Sequence, residues 1–97
     1  MTETQIQKEI SDYLKALGFK VYRMNSGYIK KNVKLAEDGT PDLMTAADRG
    51  RSLWIEVKVP GNLPSEIQKR RHAELRALGH VVIVAYSLED VKKGLAR

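Results

Sequence analysis

The sequence predicts an α/β fold, a mixed β-sheet flanked by helices with its elements in the order α-β-β-β-α-β-α. Three observations predict it. Residues 2–18 repeat apolar side chains at helical spacing and stop at a glycine. "SLWIEVKVP" alternates apolar and polar residues, as a strand with one buried face does. From Ser65 a helical stretch leads into the apolar run "HVVIVAY", so strand, helix and strand succeed one another toward the C-terminus. A crossover of that kind is parallel and right-handed when its strands share a sheet.

In "TETQIQKEISDYLKALG" Ile6, Ile10, Tyr13, Leu14 and Leu17 form the apolar stripe, Thr2 and Gln5 match a capping box, and Gly18 is the stop. "FKVYRM" reads as a strand, "NSG" as a turn, and "YIKKNVKL" as a second, more polar strand ending at the loop "AEDGTP". "DLMTAA" and "SLWIEVKV" are two strands joined by a tight turn around Asp48, Arg49 and Gly50. "PGNLP" breaks the pattern. "SEIQKRRHAELRALG" is a helix opened by Ser65 and closed by Gly79, "HVVIVAY" a buried strand, and Ser87 the cap of a final helix, "LEDVKKGL".

Ninety-seven residues suffice for one core, so the expectation is a single domain over 1–97. The chain has no cysteine, and its two histidines, His72 and His80, lack zinc-site spacing. Disulfides and thiolate metal sites are excluded. The polar start "MTETQIQKEI" does not resemble a signal peptide, and "VVIVAY" is far short of the ~20 apolar residues that span a bilayer, so the expected setting is cytoplasmic. Seventeen Lys and Arg against twelve Asp and Glu give a net charge of +5 and a pI near 9.6. The basic residues bunch in "YIKKNVK" (Lys30, Lys31, Lys34), "DRGR" (Arg49, Arg51) and "QKRRH" (Lys69, Arg70, Arg71), a distribution that suits a polyanionic partner.

Leu53, Ile55, Val57 and Val59 form the apolar face of "SLWIEVKVP", which places Glu56 and Lys58 together on the other face beside Trp54. An antiparallel sheet commonly keeps one face wet, and a solvated face is the simplest reading of those charges. The turn adds a second reading. A three-residue loop centred on Arg49 sets Asp42 directly opposite Glu56, and a one-residue slip would separate them onto opposite faces. Carboxylates so placed have Cβ atoms ~4.5 to 5.5 Å apart and repel. They need a cation. Mg²⁺ meets the need with oxygen ligands while keeping sites for water and phosphate. An ion pair from Lys58 to either carboxylate meets it without metal.

"GTPD" followed by "EVK" resembles the signature of the PD-(D/E)XK nucleases. The fuller set is more specific: Glu3, Ile6, Gln7, Tyr13, Leu14 and Gly18 in the first helix, Arg23, Asn25, Ser26 and Gly27 in "R.NSG", "G.PD", "IEVK", and the glutamine of "LPSEIQ". These motifs, in order from Glu3 to about Val91, resemble the VRR-NUC branch of that superfamily. The resemblance implies a restriction-endonuclease-like core and a Mg²⁺-dependent deoxyribonuclease, with Mn²⁺ as substitute.

Residue by residue, it implies that Asp42 and Glu56 bind the divalent metal with the main-chain carbonyl of Val57. Lys58 orients or deprotonates the attacking water. Glu3 matches the first-helix glutamate that acts through water on the metal, with Glu9 as its rival. Gln68 matches the glutamine that positions the lysine or the water, although Ser65 and Gln68 also make a capping box. Asn25, Ser26 and Gly27 either contact a phosphate or form an ordinary turn. Lys30, Lys31, Lys34, Lys69 and Arg70 line a DNA path or are a solvated surface. Trp54 is expected to pack against the first helix. Stand-alone proteins of this kind resemble junction-resolving enzymes, which implies a homodimer acting on branched or four-way (Holliday) junction DNA. The competing class is a non-catalytic DNA-binding or assembly module on the same fold.

Overall fold

Thr2 opens the first helix, α1 (Glu3–Ala16), through a capping box in which its hydroxyl accepts the Gln5 N–H and the Gln5 side chain accepts the Thr2 N–H. Ile6, Ile10 and Leu14 are buried along one stripe, and Tyr13 packs beside them. Leu17 departs from the expected stripe at 54% exposure, because it is the C-cap, where the chain leaves the helical face. The structure, a computed structural model, describes residues 1–24, 28–30, 33–34, 39–46 and 52–96, with 28–30 and 33–34 given by backbone alone. The "NSG" turn, Lys31, most of the "AEDG" loop and the turn at Asp48, Arg49 and Gly50 lie outside the described residues.

Four strands make the main sheet in the order β1-β4-β5-β6: β1 (Val21–Arg23), β4 (Leu43–Thr45), β5 (Leu53–Val57) and β6 (Val81–Ala85). With α1, α2 (Glu66–Ala77) and α3 (Leu88–Leu95), they follow the predicted order α-β-β-β-α-β-α. The segment "YIKKNVKL" is not a strand of this sheet. It folds on itself as a hairpin of β2 (Tyr28–Lys30) and β3 (Val33–Lys34), since its run of lysines and Asn32 leaves no alternating apolar face to bury.

β4 pairs antiparallel with β5 through Leu43 opposite Ile55 and Met44 opposite Trp54, the register that a three-residue turn at Arg49 requires. β5 pairs parallel with β6 across the α2 crossover. β6 is an edge strand, so "HVVIVAY" is half-buried where full burial was expected, and Val81 is 41% exposed.

The sheet has helices on both faces. Leu53, Ile55, Val57 and Ala85 join Ile6, Ile10, Leu14 and Val91 in the core beneath α1 and α3. The opposite face, expected to be wet, lies under α2. Trp54 lines a cleft with Leu75 of α2 and Leu78, the C-cap of that helix, and so lies on the side of the second helix where the first was expected. The Arg76 guanidinium donates to the Val82 carbonyl at 3.0 Å. α2 opens at Ser65 with a capping box to Gln68, whereas Ser87 makes no side-chain cap on α3; there Asp90 accepts the Tyr86 N–H instead.

The loop into β4 touches α2 at Gly39. Its φ is 84°, and a Cβ there would stand 2.7 Å from the Ile67 carbonyl oxygen and 2.8 Å from Arg71 Cγ. Gly61, with φ 94°, has nothing within 4 Å of such a Cβ. Each alanine substitution carries the left-handed cost of roughly 1 to 2 kcal/mol, but at Gly39 helix backbone must also move. Urea unfolding should therefore show Gly39→Ala clearly less stable than Gly61→Ala; equal losses would mean that the loop does not press on α2.

Candidate metal centre and nuclease site

Asp42 sits one residue before β4 and is tied from both sides. Its carbonyl accepts the Met24 N–H at 2.7 Å, and its Oδ2 accepts the Val57 N–H at 2.7 Å. The same register sets Val57 opposite Pro41, which has no N–H to donate to the Val57 carbonyl. Along an extended residue the N–H and C=O point to the same edge, so the Val57 carbonyl faces the side on which Asp42 stands.

Glu56 is on the next strand and is 2% exposed. The register sets it opposite Asp42, and each carboxyl acts on the other's titration. Burial foremost, then the neighbouring Glu56 carboxyl, pushes Asp42 up to about 7, against smaller opposing effects of the Val57 N–H and Lys58. Burial also raises Glu56, while Asp42 and Lys58 pull it back and the charge of Glu3 raises it further. Asp42 therefore keeps its proton up to near neutrality. Lys58 follows β5, half-buried, with its N–H donated to the Ala85 carbonyl, and its charge acts on both acids.

Glu56 has one partner that sequence reading missed. His72 of α2, itself 2% exposed, places Nε2 3.2 Å from Glu56 Oε1. Burial first, then the charges of Arg76 and Lys58, hold its imidazole below the ordinary histidine range, so the ring is neutral. Only the sixteen-residue separation from Glu56 is visible in sequence, and no local pattern signals such a contact. His80 likewise has a structural partner, its Nδ1 accepting the Ser52 N–H at 2.9 Å.

The other expected residues divide. The charge of Glu3 reaches Glu56, whereas Glu9 is exposed on α1. Gln68 has its side-chain oxygen in the α2 cap, accepting the Ser65 N–H at 2.8 Å. Lys69 and Arg70 are exposed on α2, and Lys69 reaches Glu66 at 3.4 Å. Asn25, Ser26, Gly27 and Lys31 are outside the described residues, as are the side chains of Lys30 and Lys34.

No family model matches the chain. A protein described as "Putative nuclease p44", from Acyrthosiphon pisum secondary endosymbiont phage 1, is 35% identical over 82 residues, covering 84% of this chain and 80% of that protein. A solved structure described as a VRR_NUC domain is similar over 98% of this chain and 95% of its own, with a TM-score of 0.74 and 28% identity. The chain belongs to the VRR-NUC nuclease family.

The oxygen donors of Asp42, Glu56 and the Val57 carbonyl are of the kind that suits a hard divalent cation. Mg²⁺ takes such ligands, and the raised Asp42 carboxyl beside buried Glu56 marks a place where positive charge is wanted. Among the described residues no group of three or more His, Cys, Asp or Glu side chains stands at metal-holding distance. Glu3 is thus set apart from the Asp42 and Glu56 pair.

In metal-free protein the raised Asp42 carboxyl has a definite pH signature. Between its ordinary value of 3.8 and about 7 the folded chain holds more protons than the unfolded one, so stability falls as pH rises through that window. Asp42→Asn keeps the shape and removes the titration. In chelator the stability of the variant relative to wild type should rise from pH 4 to pH 7 and then level, by urea unfolding at each pH. A flat difference would mean that the carboxyl is not raised.

Proposed function

We propose that this chain is a metal-dependent DNA endonuclease, a single VRR-NUC domain over 1–97 that hydrolyses phosphodiester bonds in branched DNA, four-way junctions included, as a homodimer. The observation that carries the reading is the half-buried Asp42 opposite the buried Glu56, with Lys58 acting on both acids in a VRR-NUC fold. Asp42, Glu56 and the Val57 carbonyl would hold Mg²⁺, or Mn²⁺ in its place, with Glu3 at one remove. When bound, the ion supplies Lewis-acid polarisation of the phosphate and a more acidic water.

The chain's own residues do the rest. Lys58 orients or deprotonates the attacking water and offsets the negative charge that grows at phosphorus. Gln68, with its oxygen in the helix cap, has its amide nitrogen to position Lys58 or the water. DNA is held through its backbone, by Asn25, Ser26, Gly27, Lys30, Lys31, Lys69 and Arg70. An open cleft of about 480 Å³ between α1 and β1 passes Leu43, next to Asp42, and is lined in part by the Lys8–Asp12 ion pair and by Lys15 and Arg23, two cations outside that pair. Two symmetric cuts in a junction need two sites, which a dimer of this chain provides.

Incubation with four-way, flap and linear duplex DNA tests the reading. Cleavage should require Mg²⁺ or Mn²⁺, favour the branched substrates, and vanish in chelator and in Glu56→Gln. Binding without cutting in either metal would instead favour the non-catalytic module. The DNA path has a separate check: replacing Lys30 and Lys31 together by alanine should flatten log affinity against log salt by up to about 1.8, since each phosphate contact contributes about 0.9. An unchanged slope removes both lysines from the path.

A further inference from the structure

Glu56 lies on an interior strand under α2 with almost no exposure, so neither of its oxygens can rely on bulk water. A carboxylate that is to serve a cation with one oxygen then needs a fixed partner for the other. Without it, the group rotates between orientations and presents no defined ligand. α2 supplies one candidate partner. His72 is the sole buried residue of α2, and its Nε2 lies 3.2 Å from Glu56 Oε1. The rest of α2 is arranged to keep that ring in place: the Ser65 and Gln68 box fixes the start of the helix, Arg76 bonds Val82 of β6, and Gly39 lets the loop before Asp42 close against Ile67.

We propose that His72 is a positioning residue for Glu56: its Nε2–H holds Oε1 and so reserves Oε2 for the cation shared with Asp42. This rests on the reading that Asp42 and Glu56 hold a divalent ion. The ring contributes orientation and not a ligand bond. A residue present merely to fill the space under α2 would contribute shape alone, and the two roles separate on substitution. His72→Leu keeps an apolar body and loses the hydrogen bond. His72→Gln keeps a side-chain N–H at comparable reach. His72→Asn keeps an amide one carbon shorter.

The experiment counts Mn²⁺ binding to DNA-free protein by the electron paramagnetic resonance signal of the free ion, with circular dichroism as the check on folding. His72→Leu should weaken Mn²⁺ binding about 10- to 100-fold, the range seen when a partner behind a metal ligand is removed. His72→Gln should restore most of it. A folded His72→Leu with wild-type affinity, or Gln and Leu variants weakened alike, would overturn the proposal. If the leucine variant does not fold, the amide pair decides: Gln binding Mn²⁺ more tightly than Asn supports it, and equal binding overturns it. Failure of the underlying site reading is distinguishable, because wild type itself would then take up no Mn²⁺.

Discussion

Two acids meet in the interior of the sheet, and the rest of the site follows from that meeting. Glu56 on β5 is buried, Asp42 stands opposite it, and full ionisation of both is disfavoured there without positive charge close by. The fold offers three partial answers. Lys58 supplies a charge, the Val57 N–H supplies a dipole to Asp42, and the proton that Asp42 keeps up to near neutrality supplies the remainder. In the reading proposed above, a cation takes the place of that proton. Cation and proton then compete for one position, and cation affinity must rise with pH across the range in which the pair titrates.

Such a pair can persist only if the surroundings cannot relax away from it, and α2 provides the restraint. Its packing is unusual for a helix over a sheet, since its one buried residue is a histidine. A leucine-lined helix would bury more apolar area, but it would leave the Glu56 carboxyl with no polar group above it. α2 is instead located by its polar contacts: the capping box, the Arg76 bond to Val82, His72 at Glu56, and the backbone approach at Gly39. The opposite face behaves in the ordinary way, with α1 and α3 contributing Ile6, Ile10, Leu14 and Val91 to an apolar core. One face of the sheet serves stability and the other serves the site.

That division explains what was legible in the sequence. α1 was legible because its stripe and capping box are local signals, and the β4–β5 register was legible because alternation and a short turn determine it together. Asp42 and Glu56 could therefore be placed side by side before any fold was known. Alternation says which residues share a face but not what covers it, so the face with Glu56 was expected to be wet and is roofed by α2. The same blindness concealed His72 and assigned Trp54 to the wrong helix, because an inward face of polar residues has no hydrophobic period to detect. The lysine-rich segment "YIKKNVKL" has strand-like composition without an apolar face, and whether such a segment joins a sheet or pairs with itself is decided by tertiary packing.

The two acids are restrained to different degrees, and this bears on how the site accommodates a ligand. Glu56 is held by His72 from the helix above, and it is carried by a strand paired along both edges. Asp42 is half-buried at the mouth of a loop, and its carboxyl accepts the Val57 N–H. In the proposed reading, a cation would leave the histidine contact of Glu56 intact, and adjustment to it would fall on Asp42, which has the shorter side chain and the looser setting. Glu56 would act as the fixed reference, and the Val57 N–H would limit how far Asp42 could swing.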